Sequence, residues 1–489
     1  MKVIEELKKR SGELTDLHHI MALLQWDQEV MMPSSGAAER ADQMATLSGI
    51  THRKEVDPAL GELLEKAAEN PAASTIDRAL VRVMRRSYDQ NTKLPEEFVE
   101  ALTRLTSEAL HVWIGARKEA DFGRFRPYLE KIVEMSRQQA DYLGYAHEPY
   151  DSLLDLYEEG LTAIRVQEMF AGLKGPLSDL VKTAMDKGPE LVIDRDLDQT
   201  LQVRFAEMVL KKIGYDFSRG RQDVSTHPFS TTLGHHDRRV TNRYSPRSIE
   251  FIFSAMHEGG HGMYEQGIAA ALGHSALDCG VSLGIHESQS RLWENIIGRG
   301  LPFWRHFYPE LQQLFPEHLA GLSVEDFVRA VNVVKPGPIR VEADEVTYNL
   351  HVMIRFELER ALMEGAMTVA ELPEAWNAMY RKYLGVTVDS DANGVLQDIH
   401  WAHGSFGYFP TYTIGNLAAA QIWNTFTRQV PDHEAIIEAG NLAAVRKWLR
   451  ENIYRHGSVY PPEELIVKVT GEPLSPHYFV EYLRARQGC

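Results

Sequence analysis

Cysteine is almost absent from this sequence: 489 residues contain two, Cys279 and Cys489, too few for a disulfide framework. Long apolar runs are missing as well. No stretch approaches the roughly 18 consecutive apolar residues that cross a bilayer. The opening MKVIEELKKRSGELTDL carries both charge signs and no apolar core of a secretory signal, so the expected setting is soluble and cytoplasmic. Positive charge is in deficit, with 52 Lys and Arg against 69 Asp and Glu and a formal net charge of −17. Such a surface repels phosphate backbones and anionic lipid heads, which excludes nucleic acid and membranes as expected partners. The hydrophobic share, 44%, is that of an ordinary globular chain, and the length is ample for a large buried core.

What the sequence has in quantity is helical periodicity. Ile4, Leu7, Leu14, Leu17, Ile20, Met21 and Leu24 recur at three and four residues. The turn sequence Met31 to Gly36 interrupts them, and a second helix is predicted through Leu47. Stretches 76–90, 95–119, 124–143, 163–185 and 198–213 are patterned alike. Residues 214–244 differ, being rich in Gly, Ser and Thr with short alternating runs, and read as a small β-ribbon. Ser245-Pro246 then predicts an N-cap and first helical position. The helix that follows carries Ile249, Ile252, Phe253, Met256 and Met263 on one face and ends near Gly267. A second irregular zone, Asp389 to Thr413, is rich in Gly, His and aromatic residues. The expected fold is mainly α: one large helical body over 1–489, split by a deep groove, with the N-terminal helices (1–50) as its cover.

Inside the predicted helix lies His257-Glu258-Gly259-Gly260-His261. Histidines four apart share one helix face, so both can bind one ion. Glu258 lies beside them, where it can accept a proton from water activated by the ion. Two glycines in mid-helix cost about 1 kcal/mol each relative to alanine, which makes sense where a backbone or substrate comes close. A catalytic zinc site needs a third protein ligand. The extended pattern HExxHxxGxxH is not met, because Tyr264 and Gly267 stand at its Gly and last His. Glu265, Glu287 and Glu294 are the candidates. Glu265 falls a turn too far along the same helix, and Glu294 reads as a supporting carboxylate. Glu287, opening a new helical pattern after the Gly280–Gly284 turn, is the preferred ligand.

Further blocks accompany the motif. They are Trp26 to Leu47, His227-Pro228-Phe229, Asp237-x-Arg239-x-Thr241, His286-Glu287-Ser288-Gln289, Ile339-Arg340-x-x-Ala343-Asp344, and Gly394-x-x-Gln397-Asp398-x-His400-Trp401. With these blocks in this order, the chain resembles the carboxypeptidase Taq family of metallocarboxypeptidases nearly end to end. The resemblance implies a helical fold broadly like the angiotensin-converting-enzyme and neurolysin group. It implies His257, His261 and Glu287 as ligands of one zinc ion per chain, with cobalt accepted in its place, and Glu258 as general base. It also implies a homodimer that releases residues one at a time from peptides with a free C-terminus. One departure concerns Arg291, four residues after Glu287, where many zincin relatives carry an aspartate near the metal. The carboxylate that orients the metal histidines is thereby left open.

The chemistry asks for two further functions. A tetrahedral oxyanion needs a donor, for which Tyr408, Tyr412 and His400 are candidates. A terminal carboxylate needs a cation, and the planar fork of arginine suits it. Arg239 and Arg340 are proposed, with an ion pair of Arg340 to Asp344 as the structural alternative. His227, His235, His236 and His403 are further candidates for the cleft, and Cys279 reads as an inert small residue near it. The rival readings are an endopeptidase or oligopeptidase of the same chemistry and a non-catalytic peptide-binding scaffold.

Overall fold

A computed structural model describes residues 2–70, 73–184, 191 and 193–488, so Cys489 lies outside the described residues. Helices sit where the apolar periodicity predicts them, at Thr75–Lys93, Glu96–Glu119, Phe122–Leu143, Ala163–Ala184 and Gln199–Ile213. The first runs Lys2–Val30, and after the predicted turn the second runs Ala37–Glu55, past the expected end at Leu47. Local chemistry sets several starts: Asp57, Asp121, Asp198 and Ser282 each accept an amide N–H from the first turn they precede. No described helix is long and apolar enough to cross a membrane.

The chain divides into two compact units. One comprises Met1–Thr92, Leu191–Val328 and Ile422–Pro473; the other comprises Lys93–Glu190, Arg329–Gln421 and Leu474–Cys489.

In the first unit the expected ribbon is a three-stranded sheet. β1 (Gln222–Val224), β2 (Ser230–Gly234) and β3 (Asp237–Asn242) lie in the order β1-β3-β2. β1 pairs parallel to β3 and β2 antiparallel to it, with an irregularity between Thr232 and Gly234. The following helix begins at Glu250, so the expected start at Ser245-Pro246 is corrected. Those two residues are drawn toward the preceding helix instead: the Gln202 side chain donates to the Ser245 carbonyl (3.1 Å), and the Leu197 N–H donates to that of Pro246 (2.6 Å). Ser248 supplies the hydroxyl that accepts the Glu250 N–H. The end at Gly267 is as predicted.

This Glu250–Gly267 helix is buried on almost every side, well beyond the single apolar face expected of it. Its glycines explain how. A Cβ on Gly260 would lie 2.6 Å from the carbonyl oxygen of Gln289 and 2.7 Å from the Cα of Ser290. The helix Leu283–Arg291 therefore crosses with backbone against backbone, and Glu287 rides on that helix. A Cβ on Gly259 would meet the Leu210 side chain at 2.4 Å. After Arg291 the helix widens into a π-turn, Leu292–Ile297, a distortion that frequently marks functional sites.

The second unit packs Trp113, Phe125, Tyr150, Phe356, Trp376 and Trp401 into one apolar core. Within it two buried arginines share one carboxylate. Arg340 donates Nε and Nη2 to Asp398 Oδ1 (3.0 and 2.8 Å), and Arg355 donates Nε to Oδ2 (2.7 Å). Burial alone would raise the Asp398 carboxyl, but Arg340 and Arg355 outweigh it and hold it far below the carboxylate range. Gln397 ties the two sequence blocks together, accepting from the Arg340 N–H (2.9 Å) and donating to the Pro338 carbonyl (2.9 Å).

Two substitutions test this packing. Gly260→Ala forces a methyl onto backbone that cannot rotate away, and overpacking of this kind costs about 1–3 kcal/mol or more. Gly259→Ala meets only the movable end of Leu210. Urea denaturation is expected to show the larger loss of stability for Gly260→Ala. Asp398→Asn leaves two buried guanidinium groups without a counter-charge, and a loss of about 3–5 kcal/mol is expected in the same assay.

Candidate metal centre

His257 and His261 project from one face of their helix with ring centroids 4.9 Å apart. The helix crossing brings Glu287 to them: its Oε2 lies 3.5 Å from Nε2 of His257 and 3.5 Å from Nε2 of His261. Among the described residues these three form the His, Cys, Asp or Glu group whose ligand atoms converge, all within 4.8 Å of one another. Bonds of about 2.1 Å at tetrahedral angles would separate two ligand atoms by about 3.4 Å, so the spacing fits one small divalent cation. The donor set, two imidazoles and a carboxylate, is that of catalytic zinc sites. Glu265 is occupied elsewhere: its carboxylate takes hydrogen bonds from Arg238 and from the Gly280 amide.

The nitrogens facing away from the convergence point are also held. His257 Nδ1 lies 2.7 Å from Glu294 Oε2. Arg291 grips both acids, donating Nε to Glu287 Oε1 (2.6 Å) and Nη1 to Glu294 Oε2 (3.2 Å). At the position of the departure Arg291 thus bridges two carboxylates, and the one that contacts His257 Nδ1 stands seven residues after Glu287 instead of four. Spacings of four and seven keep Glu287, Arg291 and Glu294 on one helix face, a signal present in HESQSRLWEN. His261 Nδ1 meets His286 Nδ1 at 2.6 Å. That contact joins two different helices, so no periodicity announces it.

Burial would raise the Glu287 carboxyl, but Arg291, His257 and His261 hold it well below the carboxylate range. Glu294 is held at about 2 against its own burial, chiefly by Arg291 and His257. Burial pushes Glu258 up to about 7, Glu287 and Glu294 adding to the shift and His257 opposing it. Burial disfavours charge on both rings. The surrounding carboxylates overcome this for His257, raised to about 9, whereas His261 falls to about 3 because burial outweighs its hydrogen bond to Glu287. Coordination needs both Nε2 atoms unprotonated, so a cation and a proton compete for His257. Glu258 differs from the other acids: no side-chain hydrogen bond or ion pair engages its carboxylate among the described residues.

The remaining candidates are distributed over both units. In the first, Arg239 closes its fork on Asp237 (2.9 and 2.8 Å) under the Trp26 ring, 4.2 Å from its centroid. His227 accepts at its carbonyl from Ser225 (2.7 Å), and His235 Nδ1 lies 2.8 Å from Asp278, with His236 edge-on to its ring. Cys279 is a free thiol beside Ser458 (3.2 Å). In the second unit His400 Nε2 lies 3.1 Å from Tyr412 Oη, and the Tyr408 and Tyr412 rings are 5.4 Å apart. Burial and the Arg340 charge lower His400 to about 3, and desolvation lowers His403. The structural alternative, a pair of Arg340 with Asp344, is not the one formed: Asp398 takes that guanidinium. Asp344 accepts from the amides of Lys335, Val346 and Thr347, in the turn that precedes the helix beginning at Tyr348. Arg340 also donates to Tyr348 Oη (2.8 Å) and stands 4.8 Å over the Tyr412 ring.

Comparison with known proteins extends these observations. The model of a family described as carboxypeptidase Taq (M32) metallopeptidase matches residues 6–487. A relative named thermostable carboxypeptidase 1, from Thermus thermophilus, is 40% identical over 499 residues, covering 99% of this chain and 98% of that one. Carboxypeptidase 1 of Bacillus subtilis is 39% identical over 468 residues, covering 95% and 93%. The crystal structure of an M32 carboxypeptidase from Deinococcus radiodurans superposes with a TM-score of 0.97 at 40% identity, over 100% of this chain and 99% of that one.

Proposed function

The chain belongs to the carboxypeptidase Taq (M32) metallopeptidase family and is a metallocarboxypeptidase, and from that premise we propose how its residues divide the work. His257, His261 and Glu287 hold one zinc ion, with cobalt able to replace it. The observation that carries this reading is that one oxygen of Glu287 faces the Nε2 atoms of both histidines at 3.5 Å. A divalent cation held there supplies Lewis-acid polarisation of the scissile carbonyl and a more acidic water.

Glu258 is the general base. Its carboxylate is the uncommitted one beside the histidines, and burial pushes it toward neutrality, which suits a group that takes a proton from water and delivers it to the leaving amine. Glu287 and Glu294 are poor bases because Arg291 keeps both ionised. Tyr408, Tyr412 and His400 are proposed as donors to the oxyanion, and Arg340 and Arg239 as partners of the substrate's terminal carboxylate. Support for these roles is the family resemblance of their sequence blocks. Each arginine fork already carries an aspartate of this chain, so a substrate carboxylate would share that guanidinium. The substrates proposed are peptides with a free C-terminus, trimmed one residue at a time. A single family model spanning 6–487 supports reading 1–489 as one catalytic domain. A homodimer and a cytoplasmic setting complete the proposal.

Two measurements test it. Glu258→Gln is expected to retain zinc by elemental analysis while kcat falls by orders of magnitude; unchanged turnover removes Glu258 from the mechanism. A peptide and its C-terminally amidated twin, digested in parallel and followed by mass spectrometry, are expected to differ, the free acid shortening residue by residue. Equal cleavage of both replaces terminal-carboxylate recognition with endopeptidase action.

A further inference from the structure

Beyond the pair His261–His286 the hydrogen bonds continue. His286 Nε2 lies 3.0 Å from Glu265 Oε1, which also accepts the Gly280 N–H at 2.7 Å. The other oxygen, Oε2, accepts from Arg238 Nη1 (2.8 Å) and from Thr232 Oγ1 (3.1 Å). Arg238 is 1% exposed and donates its second Nη to Asp278 (2.7 Å). Glu265 is thus fixed at both oxygens, one turned to the sheet and one to His286.

This fixation dictates where hydrogens sit. A carboxylate only accepts, so His286 Nε2 must donate to Glu265. In its neutral form His286 has only Nδ1 left to accept, and that form makes His261 Nδ1 the donor across the 2.6 Å contact. That tautomer leaves the lone pair of His261 Nε2 facing Glu287. Space holds the ring itself in place: a Cβ on Gly280 would lie 2.5 Å from the His286 ring, so glycine is needed to seat it. His257 reaches the equivalent state by a single bond to Glu294. The two metal histidines are therefore oriented by independent carboxylates, one direct and one through an intervening imidazole.

We propose that Glu265, acting through His286, is a positioning residue that fixes the tautomer and ring orientation of His261 for metal binding. The proposal rests on the reading of His257, His261 and Glu287 as the metal ligands. Partners one bond beyond a ligand typically contribute 10–100-fold to metal affinity.

The test is zinc affinity by competition with a chromophoric chelator, on folded full-length protein. Glu265→Gln and His286→Phe are each expected to weaken zinc binding about 10–100-fold. Because Glu265 works through His286, the double variant should bind zinc no more weakly than His286→Phe alone, whereas Glu265→Gln and Glu294→Gln should multiply. Cobalt-loaded Glu265→Gln should also show a displaced visible absorption band. If Glu265→Gln does not fold, His286→Phe decides, since it leaves the Glu265–Arg238 pair intact. Wild-type affinity in His286→Phe, or multiplied losses in the double variant, overturns the relay. Failure of wild-type protein to take up zinc, or full uptake by Glu287→Ala, instead overturns the ligand assignment on which the relay rests.

Discussion

The close crossing of the Glu250–Gly267 and Leu283–Arg291 helices at Gly260 is the constraint on which the rest of the site depends. Side chains at an ordinary interface hold helix axes 8–10 Å apart. Here the glycine admits the backbone of Gln289 and Ser290 instead. The contact places Glu287 opposite both histidines and Glu294 behind His257, and it seats His286 against His261. The conformational cost of glycine within a helix is offset by the geometry it permits.

Electrostatics then differentiates acids of the same chemical type. Glu258, Glu265, Glu287 and Glu294 are all buried or nearly so, and burial alone would drive each toward the neutral form. Arg291 ionises two of them. Arg238 and His286 ionise Glu265, holding it at about 2. Glu258 has no such partner and remains near neutrality. The division of labour among the four follows from where the guanidinium groups lie, not from the carboxylates themselves.

Much of this was legible in the residues. The helices followed from three-and-four spacing because burial of one face is a local, periodic demand, and the grouping of His257, His261 and Glu287 followed from the HExxH spacing and the acid that opens the next helical pattern. The start of the histidine helix was not legible, because Ser245 and Pro246 are occupied by contacts with Gln202 of the Gln199–Ile213 helix and with Leu197 just before it. The partner of Arg340 was missed for the same reason: Asp344 is near in sequence, but Asp398 is the acid that folding brings to it. His286 stood inside a family block without an assigned task, since its two hydrogen bonds join residues 25 and 21 positions away. Long-range pairing of this kind leaves no periodic trace.

The assembly of the triad by tertiary contact has a thermodynamic corollary. His257 and Glu287 lie on separate helices and meet at one point only when those helices are docked, so the unfolded chain offers a cation no comparable grip. With a divalent cation held by these residues as proposed, its free concentration acts on the folding equilibrium by mass action. At a hundred times the dissociation constant the native chain gains about 2.7 kcal/mol, and scarcity of the ion would shorten the life of the fold as well as silence the enzyme.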